Sequence, residues 1–262
     1  MDLQLTGKHA LVVGGTKGIG RAAAAALARE GAVVTVAARH DVAEIAATLA
    51  AETGGTVHGV VIDSRDDASV QAGVAEAVAL MGGVDILVNT AAAPWSAAKN
   101  TAASQTSDDA MRDEFEEKVL GYLRTARAVA PHLIANGWGR IVNISGLGAR
   151  RSGSVAQTVR NISVAAITKN LADELGPHGV NVTVVHPGLT RTDAVAGLVE
   201  KRVAAGEALA DVERSMAGNI IGRIVTPDEL AAVITFLASP RSVAITGGAV
   251  DAGGGTPGVV TY

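Results

Sequence analysis

Apolar and polar positions alternate in blocks along this chain. Short apolar runs, rich in valine and isoleucine, are followed by alanine-rich stretches with helical spacing. Such a run is read as a strand buried on both faces, and such a stretch as a covering helix. Strands are expected at about His9–Gly14, Val33–Ala38, Val57–Ile62, Ile86–Asn89, Arg140–Ile144, Val180–Val185 and Val243–Val250. Helices are expected between them at about Gly18–Glu30, Val42–Glu52, Asp67–Leu80, Ser107–Asn136, Ala156–Leu175 and Leu230–Ala238, the last capped by Thr226-Pro227-Asp228-Glu229. Pro131 is expected to bend the long fourth helix. The order predicts an α/β chain with a doubly wound, seven-stranded parallel sheet and helices on both faces. No domain boundary or internal repeat interrupts residues 1–262.

Composition narrows the function classes. The 262 residues are 48% hydrophobic and only 2% aromatic, which suits small-residue packing of helices on a sheet. Net charge is −4 with no basic block, so nucleic acid is not an expected partner. There is no cysteine, and the six histidines show no metal-ligand spacing, so no metal is expected. The segment Met1-Asp2-Leu3-Gln4-Leu5-Thr6-Gly7-Lys8 is not a signal peptide. No apolar run approaches the ~20 residues of a membrane span. A cytoplasmic protein acting on a small molecule is expected.

The chemistry begins at the first strand's end. Gly14-Gly15-Thr16-Lys17-Gly18-Ile19-Gly20 makes a tight turn into a helix whose free N–H groups and partial positive charge suit a phosphate. The spacing G-x-x-x-G-x-G departs from the common G-x-G-x-x-G, and the strand–turn–helix–strand context supplies the support. At the end of the second strand, Ala38-Arg39 stands where an acidic residue would take a ribose 2′-hydroxyl. A guanidinium can instead bind a 2′-phosphate, and Lys17 adds a second charge nearby. This favours NADP(H) over NAD(H). The alternative is that both are ordinary solvated charges.

With Gly14-x3-Gly18-x-Gly20, Asp63, Asn89, Asn143-Ile144-Ser145, Pro187-Gly188 and Ile245-Thr246-Gly247-Gly248 in this order, the chain resembles the short-chain dehydrogenase/reductase family over essentially its whole length. The resemblance implies a single-domain Rossmann fold. It also implies that Asp63 binds adenine, Asn89 holds adenosine-side backbone, and Thr192 contacts the nicotinamide carboxamide or the phosphates. Gly14, Thr16, Lys17, Gly18, Ile19, Gly20, Arg39, Asp63, Asn89, Pro187, Gly188 and Thr192 are the expected cofactor-binding set.

The catalytic half departs from the family. Its usual tyrosine, the lysine four residues later, a serine and an asparagine fall on Gln157, Asn161, Gly146 (or Ser145) and Lys118. A carboxamide does not titrate as a phenol does, and Asn161 brings no charge. The candidate catalytic residues are therefore Ser145, Gln157, Asn161 and Lys118. Lys118 is either a displaced acid or, by its i,i+4 spacing from Glu114, half of a surface ion pair, which is the favoured reading. Arg150, Arg151 and Arg160 are read as solvated rather than substrate-binding, and His186 as a satisfied structural residue. Three functions are compatible with these residues: an NADP(H)-dependent oxidoreductase acting on a carbonyl, enone or imine, a non-redox lyase, isomerase or hydrolase on the same fold, or a silent nucleotide-binding partner. The first is favoured. The resemblance further implies a homotetramer or homodimer and a lid over residues 190–218. That lid has Leu198, Val199, Val203 and Leu209 as apolar members, and Trp95 adds to a partly apolar pocket.

Overall fold

A computed structural model of the protein describes residues 1–92 and 102–260. Seven strands run β1 (His9–Val13), β2 (Val33–Ala38), β3 (Val57–Val61), β4 (Ile86–Asn89), β5 (Gly139–Ile144), β6 (Val180–Pro187) and β7 (Ala249–Ala252). They form one sheet in the order β3-β2-β1-β4-β5-β6-β7 with every pairing parallel, as expected. The helices are α1 (Gly18–Arg29), α2 (Val42–Thr53), α3 (Asp67–Met81), α4 (Asp108–Glu114), α5 (Gly121–Asn136), α6 (Val155–Leu175), α7 (Asp193–Ala204), α8 (Leu209–Ala217) and α9 (Pro227–Leu237).

Helices on both faces explain why the strands are unbroken apolar runs. Val12, Val34, Val36, Ile86 and Val88 pack with α1 and α9 on one side, and Leu11, Val13, Leu87, Ile141 and Val182 with α3, α5 and α6 on the other. Switching the order of strands at β1 and β4 opens a crevice at their carboxyl ends, where ligands bind in such sheets.

Three expectations need correction. The helix expected over 107–136 is continuous, but its irregularity is a π-helical turn, Phe115–Leu120, between α4 and α5, while Pro131 lies inside α5. A π turn holds an extra residue and so re-aims every side chain around it. The last strand is only Ala249–Ala252. Residues 243–248 turn instead, because Asn181 Nδ2 donates to the Val243 and Ile245 carbonyls at 2.8 and 3.1 Å, and Gly247 takes φ +68°. Finally, residues 190–218 are mostly two helices with a small core of Val195, Val199, Val212 and Ile224. Val199 belongs to that core, whereas Leu198, Val203 and Leu209 are exposed. Trp95 lies outside the described residues.

Candidate active site

The glycine turn is set first by packing. Gly14 has φ +83°, and a Cβ there would lie 2.5 Å from Ala91 N. A Cβ on Gly20 would lie 2.2 Å from Gly14 O and 2.4 Å from Thr90 Oγ1. These two glycines therefore hold the turn against the end of β4. Thr90 Oγ1 also donates to Val13 O at 2.8 Å, fixing the strand end. Gly18 faces elsewhere: a Cβ there would come 3.1 Å from Thr192 Cγ2, so the turn lies beside the N-cap of α7.

A cleft of about 340 Å³ opens at the carboxyl ends of β1 and β2. Gly14, Thr16, Lys17, Arg39 and Asp63 line it together with His40, Asp41 and Arg65. Lys17 and Arg39 are exposed, whereas Arg65 is tied to Asp113 at 2.7 Å. Asp63 turns its chain sharply, with Oδ1 accepting from Arg65 N at 3.0 Å and its own N–H donating to Ser69 Oγ at 2.9 Å. Bare glycine backbone, a helix start and two cations at one end form a cradle that fits a dinucleotide phosphate. His40 was missed from sequence, where only its place after Arg39 could have pointed to it. Ile19 is half-buried in the first turn of α1, and Gly188 packs on the C-terminal glycines, with a Cβ there falling 2.9 Å from Gly253 Cα. Pro187 ends β6 beside it.

Asn89 lies beneath the cleft rather than in its lining. Its side chain is wholly buried, with Nδ2 donating to Asn143 Oδ1 at 3.0 Å and Oδ1 accepting from Thr125 Oγ1 at 2.8 Å. Asn143 Nδ2 donates onward to Thr168 Oγ1 at 3.0 Å. This polar belt joins β4 and β5 to α5 and α6 underneath the cleft.

Lys118, Ser145 and Asn161 converge. Lys118 Nζ donates to Ser145 O at 2.8 Å and to Asn161 Oδ1 at 3.3 Å, and all three residues are buried. Ser145 Oγ donates to Asn161 O at 2.9 Å. Gln157 is half-buried in the first turn of α6, which Ser154 caps. The expected surface pair of Lys118 with Glu114 is not formed. Glu114 is buried and accepts from Arg160 Nη1, because the π turn swings Lys118 inward. Arg150 is bound to Asp251 at 3.0 Å, and both Arg150 and Arg151 are exposed.

Burial dominates the electrostatics. It holds the Lys118 amine well below the ordinary lysine range, with the Arg160 charge adding to the effect and Glu114 and Glu117 opposing it. Burial pushes the Tyr122 hydroxyl, which donates to Ile144 O at 3.0 Å, above its usual range. It also holds His186 below its usual value. His186 is 2% exposed, and its Nδ1 has no partner among the described residues, so it is not the satisfied histidine expected from sequence.

Known proteins share this arrangement's frame. A family model described as enoyl-(acyl carrier protein) reductase matches residues 13–256. The chain belongs to the short-chain dehydrogenase/reductase family. This family of oxidoreductases includes the short-chain reductase protein NovJ of Streptomyces niveus, 36% identical over 95% of this chain and 93% of that protein. It also includes the 3-oxoacyl-[acyl-carrier-protein] reductase FabG of Aquifex aeolicus, 31% identical over 97% of this chain and 99% of that protein. The structure of L-sorbose reductase from Gluconobacter frateurii, complexed with NADPH and L-sorbose, superposes with a TM-score of 0.90 at 29% identity, covering 99% of this chain and 100% of that one. Within the short-chain dehydrogenase/reductase fold, the cofactor crevice of this chain keeps its glycine turn.

Proposed function

We propose that the protein is an NADP(H)-dependent oxidoreductase with an atypical active site, moving a hydride to or from a small organic carbonyl, enone or imine. The observation that carries this reading is the convergence of Lys17 and Arg39 on the glycine-lined cleft, with Ala38 in place of a carboxylate. The NADPH in the sorbose reductase structure supports it. Gly14, Thr16, Gly18, Ile19, Gly20, Asp63, Pro187, Gly188 and Thr192 would bound the dinucleotide, and Lys17 and Arg39 would take its 2′-phosphate. Asn89 would act through the buried belt beneath. A reduced nicotinamide, when bound, supplies the hydride. The chain's own part is to bind and orient the acceptor with Ser145, Gln157 and Asn161, to exclude water with a lid at 190–218, and to hold a proton. A conjugated acceptor suits this site, because it delocalises the charge that a missing tyrosine would otherwise neutralise.

Fluorescence titration with NADPH and NADH tests the reading. Removing a charge-assisted contact costs about 1.5–3 kcal/mol. Arg39→Ala is therefore expected to weaken NADPH binding roughly tenfold to a hundredfold, and NADH binding by less than about twofold. Equal loss for both, or no binding of either by the native protein, refutes it.

A silent nucleotide-binding partner is the second reading. It is favoured by one observation: Ser145 Oγ is already donated to Asn161 O. Saturable NADPH binding without turnover on any ketone, enone or imine would select it. We further propose a cytoplasmic homotetramer, supported by the exposed Leu120, Ile134 and Ile162 along the long helices. Sedimentation showing a monomer refutes the assembly. No described helix is long and apolar enough to cross a membrane.

A further inference from the structure

We propose that Lys118 and Asn161 stand in exchanged places. The amine that the family carries on the second long helix is supplied here from the π turn, and Lys118 Nζ is the atom that gives a proton to, and takes one from, the reacting oxygen. Asn161 is its positioning residue. The inference rests on the reductase reading above.

Four observations carry it. First, an ammonium has three donors. Lys118 commits two, to Ser145 O and Asn161 Oδ1, and the third meets no protein acceptor among the described residues. Second, the surroundings fit the exchange. A Cβ at Gly146 would lie 3.2 Å from Asn161 Nδ2, and one at Gly148 would lie 3.0 Å from it. A serine at 146, one of the two positions open to the family's serine, would press on the carboxamide that holds the amine. Glycine at 146, Asn161 and Lys118 are thus mutually compatible. Third, the neighbouring hydroxyls are committed: Ser145 Oγ donates to Asn161 O, and Tyr122 donates to Ile144 O. Fourth, the charges around the amine are arranged to make its proton movable. Arg160 faces it from α6, Glu114 and Glu117 from its own helical run, Tyr122 from α5 and His186 from β6. Burial and Arg160 outweigh the two carboxylates and disfavour the charged form of the amine.

The step balances for reduction of a ketone. The acceptor carbon gains a C–H bond from the hydride of the reduced dinucleotide, and the C=O π pair moves to oxygen. An N–H bond of Lys118 breaks as the O–H bond forms, and water reprotonates the neutral amine.

The test combines two readouts. The chain has six lysines, so NMR of lysine 13Cε can track each one. One signal, absent in Lys118→Met, is expected to titrate well below the ordinary lysine range. In turnover assays with NADPH over a panel of ketones, enones and imines, Lys118→Met is expected to lower kcat by at least about a hundredfold. The NADPH Kd should change by less than about twofold. Lys118→Arg keeps the charge without a proton movable at assay pH, and is expected to bind NADPH normally and turn over as poorly. A Lys118 that titrates with the other lysines, or a Lys118→Met enzyme with native kcat and pH profile, overturns the assignment and leaves the reductase reading standing. A native protein that binds no NADPH or reduces nothing refutes that reading and the proton step with it, whatever the NMR shows.

Discussion

Asn143 is the keystone of the buried belt, and replacing it with alanine has a calculable cost. Asn143 is 1% exposed and Asn89 is 0% exposed, so solvent cannot replace a lost partner. Asn143→Ala removes the bond from Asn89 Nδ2 and the bond to Thr168 Oγ1, both 3.0 Å. Each contributes about 1 kcal/mol net, and the stranded Asn89 Nδ2 adds about 1–3 kcal/mol for a buried donor without an acceptor. Thr168 is not stranded as a donor, because its Oγ1 also donates to Val164 O at 2.8 Å. The expected loss is about 3–5 kcal/mol, or about 6–10 °C in Tm at the ~2 °C per kcal/mol of a domain of this size, read by circular dichroism or calorimetry. Asn89→Ala should cost a similar amount, and the double variant should fall short of the sum by about 1–2 kcal/mol, since the stranding disappears when both partners go. The NADPH Kd of Asn89→Ala should stay within about threefold of native once the protein is folded. Strict additivity, or a large loss of NADPH affinity with an unchanged Tm, would refute the belt as a unit and return Asn89 to direct cofactor contact.

Local geometry sets two further outcomes. Gly20→Ala places a Cβ 2.2 Å from Gly14 O, so the turn must shift; a loss of about 1–3 kcal/mol together with weakened NADPH binding is expected from thermal melts and titration. Thr226→Ala breaks the capping box of α9 and should cost about 1 kcal/mol at neutral pH. The Arg223 guanidinium and the Thr226 contacts hold Glu229 down at about 2 from an ordinary 4.5, so the contribution of this cap is present above about pH 4.5 and is lost as pH falls toward 2. Melts of native and Thr226→Ala proteins should therefore differ steadily at pH 5–7 and draw only partly together in acid, where the bond from Glu229 N to Thr226 Oγ1 persists.

The fold was legible because each strand is an apolar run between alanine-rich helices, and glycine marks most of the turns. The last strand was not, because the apolar run Val243–Ile245 reads as a strand while one side chain, Asn181, takes two of its carbonyls. The crevice was legible through Gly14, Lys17, Arg39 and Asp63, whose types carry their chemistry. The inner site was misread for one reason. The i,i+4 rule pairing Glu114 with Lys118 assumes 3.6 residues per turn, and the π turn adds a residue, rotating the side chains beyond it by about 100°. No periodicity announces such a turn. His186 was misread for another reason, since a strand-end polar residue gives no sign of where its partner lies.

The strand order has a consequence for the way the molecule is made. β3, β2, β1 and β4, with the glycine turn and Arg39, are complete in sequence by Asn89, whereas Glu117 of the cleft wall, Lys118, Ser145, Asn161 and Thr192 lie later in the chain. Synthesis from the N-terminus therefore delivers the glycine turn and Arg39 while the residues of the inner site and the far wall of the cleft are still unmade. The centre of the sheet closes when the β1 end meets the β4 side, as in the bond from His9 N to Asp85 across 76 residues, a separation whose loop-closure entropy is spent before α4 exists. The later half docks against an edge already present, presented by β4. Errors in the glycine turn thus strike the nascent chain at its first assembly, while changes at Lys118 or Asn161 fall on a scaffold that is largely built.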